Sequence, residues 1–127
     1  KRVSMDSDID FEPISEIEEG TKVIGTKISD YWLRGPYHVI HNGQNVGVFS
    51  EEYRAALSLA VIVDSYEDLK LNTEKDVVPI KVALDGRTAI ATYLHGVQRL
   101  SRGDIAEIMD ITKGTVREYL RRFRSLD

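Results

Sequence analysis

The stretch "SRGDIAEIMDITKGTVREYLRRF", Ser101 to Phe123, constrains the chain most, because it holds two short amphipathic segments separated by only three residues. In the first, Ile105, Ile108 and Met109 make one apolar stripe while Asp104 and Glu107 face away, which is helical spacing. Ser101 ahead of it, with Asp104 three residues on, forms a capping-box pattern. In the second, Val116, Tyr119, Leu120 and Phe123 recur at i, i+3, i+4 and i+7, and Thr112 is placed to cap through the Thr115 N–H. Asp110-Ile111-Thr112 breaks the helix between them. Two helices joined by so short a turn must cross steeply, and their stripes need a third helix to cover them. Residues Thr88 to Leu100 supply it, with Ile90, Ala91, Leu94, Val97 and Gln98 near one face and Gly96 a weak point.

The rest of the chain reads differently. Residues 1–20 contain seven acidic side chains and few large apolar groups, the composition of a mobile, disordered acidic arm. "TKVIGTKI" is rich in β-branched residues, and "YHVIHNGQNVGVF" places two apolar strands around an Asn-Gly pair, a hairpin signal. Ser50 followed by Glu51 and Glu52 predicts an N-cap with acids in the first turn. The helix it opens runs to about Val63, with Tyr53, Ala56, Leu57, Ala60 and Val61 on one stripe. Residues 65–78 are polar and irregular apart from a short turn at Tyr66 to Leu69. "VVPIKVAL" reads as a strand confined to a sheet edge by Pro79. The expected fold is α+β, a small strand, hairpin and helix unit over 21–86 followed by a three-helix unit over 87–127.

A net charge of −4 would argue against a nucleic-acid partner if it were spread evenly, and it is not. Residues 1–86 carry nine Lys/Arg against sixteen Asp/Glu, whereas residues 87–127 carry eight against five. Between Lys113 and Arg124 five basic residues meet only Glu118. Such segregation predicts a local anion-binding face on an otherwise acidic protein. No enzyme chemistry competes with that reading. His38 and His41, three apart on a strand, point to opposite faces and make a poor metal pair. There is no cysteine to supply a thiolate, and no glycine-rich phosphate loop. Neither a metal nor a cofactor is expected. No apolar run approaches a membrane span. No leader pattern opens the sequence, since Asp6, Asp8 and Asp10 follow Lys1 and Arg2 almost at once, and the expected compartment is the cytoplasm.

With those residues in view, 102–121 resembles the helix-turn-helix of bacterial and archaeal regulators. Ala106 stands where that family has a small residue for close helix approach, and Ile105, Met109, Ile111, Val116 and Tyr119 fit its apolar positions. Asp110 departs from the glycine the family prefers in the left-handed turn, although Asp tolerates that conformation better than most residues. The resemblance implies a DNA-binding domain whose second helix, residues 113–124, enters the major groove by its N-terminal end. Ser101, Arg102, Thr112, Lys113, Gly114 and Thr115 then lie at the helix starts, where backbone N–H groups suit phosphate. Arg117 has the fork for a guanine edge and Glu118 an acceptor for cytosine N4. Arg121, Arg122 and Arg124 are placed for phosphates. In the first half the 19 residues "NGQNVGVFSEEYRAALSLA" are similar to AP2-type and integrase-arm domains, whose sheet face reads DNA, but they lack the basic and aromatic strand face of those families.

The expected function is sequence-specific binding of double-stranded DNA by a small transcriptional regulator. A homodimer is expected, held by residues 21–86 through surplus apolar surface in "VIGTKI", "YHVI" and "ALSLAVIV". The alternatives are a protein-interaction module on the same helical scaffold, with residues 1–86 meeting a protein partner, or a plasmid or virus partition or packaging adaptor.

Overall fold

A computed structural model describes residues 11–18, 20–29, 32–66, 69, 71, 74 and 77–122. The fold is α+β. Four strands, β1 (Phe11–Glu18), β2 (Thr21–Ser29), β3 (Trp32–His41) and β4 (Gln44–Phe49), make one antiparallel sheet in chain order. Helix α1 (Tyr53–Ser65) lies across it, followed by α2 (Ile80–Leu84), α3 (Arg87–Gly96), α4 (Arg102–Met109) and α5 (Lys113–Leu120).

The hairpin forms where the Asn-Gly pair places it. Asn42 and Gly43 have φ of 51° and 81°, the positive pair a tight hairpin turn requires, and His41 pairs Gln44 across it. Val23 opposite Val39, and Tyr37 opposite Phe49, turn their side chains to α1. The far end of α1 is pinned to the sheet by one hydroxyl with two partners. Thr21 Oγ1 donates to Asp64 Oδ1 at 3.0 Å and accepts from His41 Nδ1 at 2.7 Å, which requires the proton on that ring nitrogen.

Several expectations are corrected. Of the acidic arm expected over 1–20, residues 1–10 lie outside the described residues, but Phe11–Glu18 is a strand. It is an edge strand with one neighbour, so Pro13 removes no ladder bond that the sheet needs, and the register shifts between Pro13 and Ser15. "VVPIKVAL" holds no strand; Pro79 stands at the N-cap of α2 with φ −57°, and a fixed φ near that value starts a helix as well as it ends a strand. Ser50 does not cap α1. The N-cap position belongs to Glu52, whose side chain is engaged elsewhere and makes no cap bond. The buried face of α1 is Ala55, Ala56, Ser58, Leu59, Ala60, Ile62 and Val63, so Tyr53, Leu57 and Val61 are only partly covered. The turn at Tyr66 to Leu69 is present, with the Leu69 N–H donating to the Tyr66 carbonyl at 3.0 Å.

The two halves share one core. A single apolar cluster runs from Val23 and Val39 through Leu59 and Ile62 to Tyr93, Leu94, Ile105, Val116 and Leu120, all fully buried. Helix α3 sits between α1 and the last two helices and is buried on most sides. It ends at Gly96, four residues before the expected Leu100, and a Cβ at that position would lie inside the Phe49 ring. Close approach of α3 to β4 therefore requires glycine there, and Arg99 turns the chain away at φ 61°. The same packing covers part of the apolar surface expected to hold a second subunit: Val23, Val39, Leu59, Ala60 and Ile62 are fully buried, while Ile28 in the same segments stays 44% exposed. Among the described residues the most exposed large apolar side chains are Ile80 at 76% and Leu84 at 80%, on α2 and also within 21–86. Among the described residues no helix is long and apolar enough to cross a membrane.

Candidate nucleic-acid interface

The geometry of α4 and α5 is set within a few residues of each turn. Asp104 N–H donates to Ser101 Oγ at 3.1 Å, and Thr115 N–H donates to Thr112 Oγ1 at 3.1 Å. Each bond satisfies one N–H that an uncapped helix start leaves open, about 1 kcal/mol per cap. Asp110 takes the left-handed conformation at φ 57°, ψ 51°, and Ile111 N–H reaches back to the Ala106 carbonyl at 2.9 Å. This is the six-to-one bond that closes a helix on a left-handed residue. Ile111 is thereby turned inward against the core while Thr112 opens the next helix. Arg87, on α3, donates through Nη2 to the Met109 carbonyl at 3.1 Å and ties the turn to the third helix. Ala106, the small residue inside α4, is buried in the core.

Packing then decides which side chains of α5 face out. Val116 and Leu120 are fully buried and Tyr119 is partly so. At 100° per residue the opposite side carries Gly114, Arg117, Glu118 and Arg121, and all four are exposed. Among the described residues Glu118 forms no ion pair with Arg121 or Arg122. Arg122 instead places its guanidinium 5.5 Å from the Tyr119 ring centre. Lys113 is exposed but leans back: a Cβ at Gly103 would lie 3.2 Å from its Cε, so its ammonium hovers over the first turn of α4 near Ser101. Thr112 and Thr115 hydroxyls are 3.0 Å apart and bonded to each other. Helix α5 ends at Leu120, short of the expected Arg124, with Arg121 N–H closing on the carbonyls of Arg117 and Glu118; Arg124 lies outside the described residues.

Arg102 departs from its expected place. Its Nη2 binds Oε2 of Glu52, at the start of α1, instead of facing out beside Ser101. Glu52 is buried at 8% exposure, and its Oε1 faces His95 Nε2 at 3.5 Å and accepts the Glu51 N–H at 3.3 Å. Burial alone would raise its pKa; the His95 and Glu51 hydrogen bonds and the His95 and Arg102 charges outweigh that and hold the carboxyl at about 2. Arg102 is thus a bolt between the two halves of the chain. The expected site divides accordingly. Ser101 and Lys113 both lie close to Gly103 at the start of α4, Gly114, Arg117, Glu118 and Arg121 share the open face of α5, and Arg102 belongs to the packing behind them.

Two residues of this surface were not foreseen from sequence. Arg87 positions the turn from 22 residues away. Arg54, exposed on the first turn of α1, lines one groove with Arg117 and Arg121. Nothing in "EEYRAAL" signals that neighbourhood, because it depends on α1 lying beside α5. No protein-family model matches the chain, and no curated protein or solved structure is significantly similar to it.

Proposed function

We propose that the chain is a sequence-specific DNA-binding protein, a small transcriptional regulator of the cytoplasm, that reads the major groove with the N-terminal end of α5. One observation carries this reading: Gly114, Arg117, Glu118 and Arg121 share the open face of a doubly anchored helix, and no ion pair among the described residues ties them together. On a merely solvated helix Glu118 would neutralise Arg121 or Arg122 at i+3 or i+4. Left apart, the same groups offer a donor fork and an acceptor to base edges, with Lys113, Ser101 and the two helix starts beside them for phosphates. The role is binding, not catalysis.

The regulator works as a homodimer in this reading, since one eight-residue helix covers few base pairs. Its contact between copies lies within residues 21–86 and uses the exposed apolar side of α2, where Ile80 and Leu84 stand out. Fluorescence anisotropy with labelled random and genomic duplexes at low salt tests the proposal. Binding at or below micromolar protein, weakened steeply by added salt, is expected. No binding at micromolar protein overturns it.

A further inference from the structure

Beside the reading face runs an open groove between the start of α1 and the side of α5. Glu51, Glu52, Tyr53 and Arg54 form one wall, and Arg102, Arg117 and Arg121 the other, over Leu120. The charges in it are not equivalent. Glu52 and Arg102 cancel each other. Arg54, Arg117 and Arg121 are exposed and form no ion pair among the described residues, and they face a single uncompensated acid, Glu51. Two of these three arginines also belong to the open face of α5, so the groove and that face are one continuous basic surface.

We infer that this groove holds a backbone phosphate of the bound duplex, gripped by Arg54 from the first half of the chain and Arg121 from the second. The inference rests on the DNA-binding reading and adds to it a contact outside the three-helix unit. An open groove with cationic walls suits an anion that is part of an extended polyanion lying across it, and a guanidinium offers phosphate two parallel donors. Arg117, one turn before Arg121, stays free for a base edge. The first half then fixes the approach angle of the duplex, because the Glu52–Arg102 bond locks α1 to α4.

Anisotropy titrations across a salt series, on one specific and one unrelated duplex, test this. Arg54→Ala is expected to weaken both duplexes alike, several-fold, and to lower the salt slope by about one. Arg54→Lys should restore the slope, Glu51→Gln should tighten binding, and Lys22→Ala, on β2 next to Thr21 at the far end of α1, should change neither slope nor affinity. Melting curves verify that each variant folds. If the wild type binds DNA while Arg54→Ala keeps its slope and affinity, the inference fails and the DNA reading stands. If the wild type binds no DNA, both fail. Calorimetry with inorganic pyrophosphate supplies the last arm: heat lost in Arg54→Ala, with an unchanged DNA slope, would assign the groove to a free anion and overturn the duplex contact.

Discussion

Gly114 shows how a single residue separates fold from function here. A Cβ there would meet nothing nearer than Thr112 Oγ1, at 3.7 Å, so packing does not require glycine. Alanine should raise helix stability by about 0.5–1 kcal/mol, seen as a higher melting temperature. If a base or phosphate comes within contact of this turn, the added methyl should at the same time lower DNA affinity. Higher stability with unchanged affinity would place the duplex elsewhere. Glu52 makes the opposite case, a charge that serves the fold. Its pKa of about 2 lies below the value near 4.3 of a free glutamate, so its contribution is complete above about pH 4.5 and is lost as pH falls toward 2. Glu52→Gln should cost about 2 kcal/mol at neutral pH, since it leaves Arg102 half unpaired. It should also flatten the pH dependence of the melting temperature in that window. An unchanged acid limb would mean that the pair does not bind the halves together.

Among the elements, α5 carries two kinds of arginine with separable effects. Arg117→Ala lies toward the groove end of the helix. It should relax base preference at particular positions by about 1–3 kcal/mol, read by competition with single-base variants of the site. Arg122→Ala, at the far end over Tyr119, should weaken all sequences alike and lower the salt slope by about one. Equal loss of preference from both ends would mean a different docking of α5. The elements also show what was legible in the sequence. The two caps of the α4–turn–α5 geometry and the break at Asp110 were legible, because each determinant lies close to its partner, Ser101 with Asp104 and Thr112 with Thr115, whereas the Arg87 tie from 22 residues away was not. The hairpin at Asn42-Gly43 was legible for the same reason. The start of α1 was not. Glu52 looked like a first-turn acid, but its partners His95 and Arg102 stand 43 and 50 residues away, and the shift of the helix start follows from them. Pro79 was ambiguous in kind, since its fixed φ serves a helix start and an edge strand equally.

For the whole molecule, the question is what the exposed apolar side of α2 meets. Among the described residues the most exposed large apolar side chains are Ile80 and Leu84, with Val77 beside them and Ile28 on β2, so a contact between copies through α2 uses Ile80, Leu84 and Val77. Sedimentation equilibrium should give about twice 14.4 kDa at tens of micromolar, and Ile80→Asp with Leu84→Asp should return it to the monomer. Loss of the second reading head should weaken binding to a palindromic site by 10²-fold or more, about the gain expected from a high effective concentration. A monomer mass for the wild type, with and without DNA, would exclude the paired arrangement and leave the single head intact. The central claim, that α5 meets DNA, is tested most directly by following backbone amide resonances as duplex is added. The shifted amides are expected to cluster at Ser101–Gly103, Thr112–Glu118 and Arg121, with Arg54 beside them. Shifts centred on the sheet or on α2, with the Thr112–Glu118 amides unmoved, would contradict it.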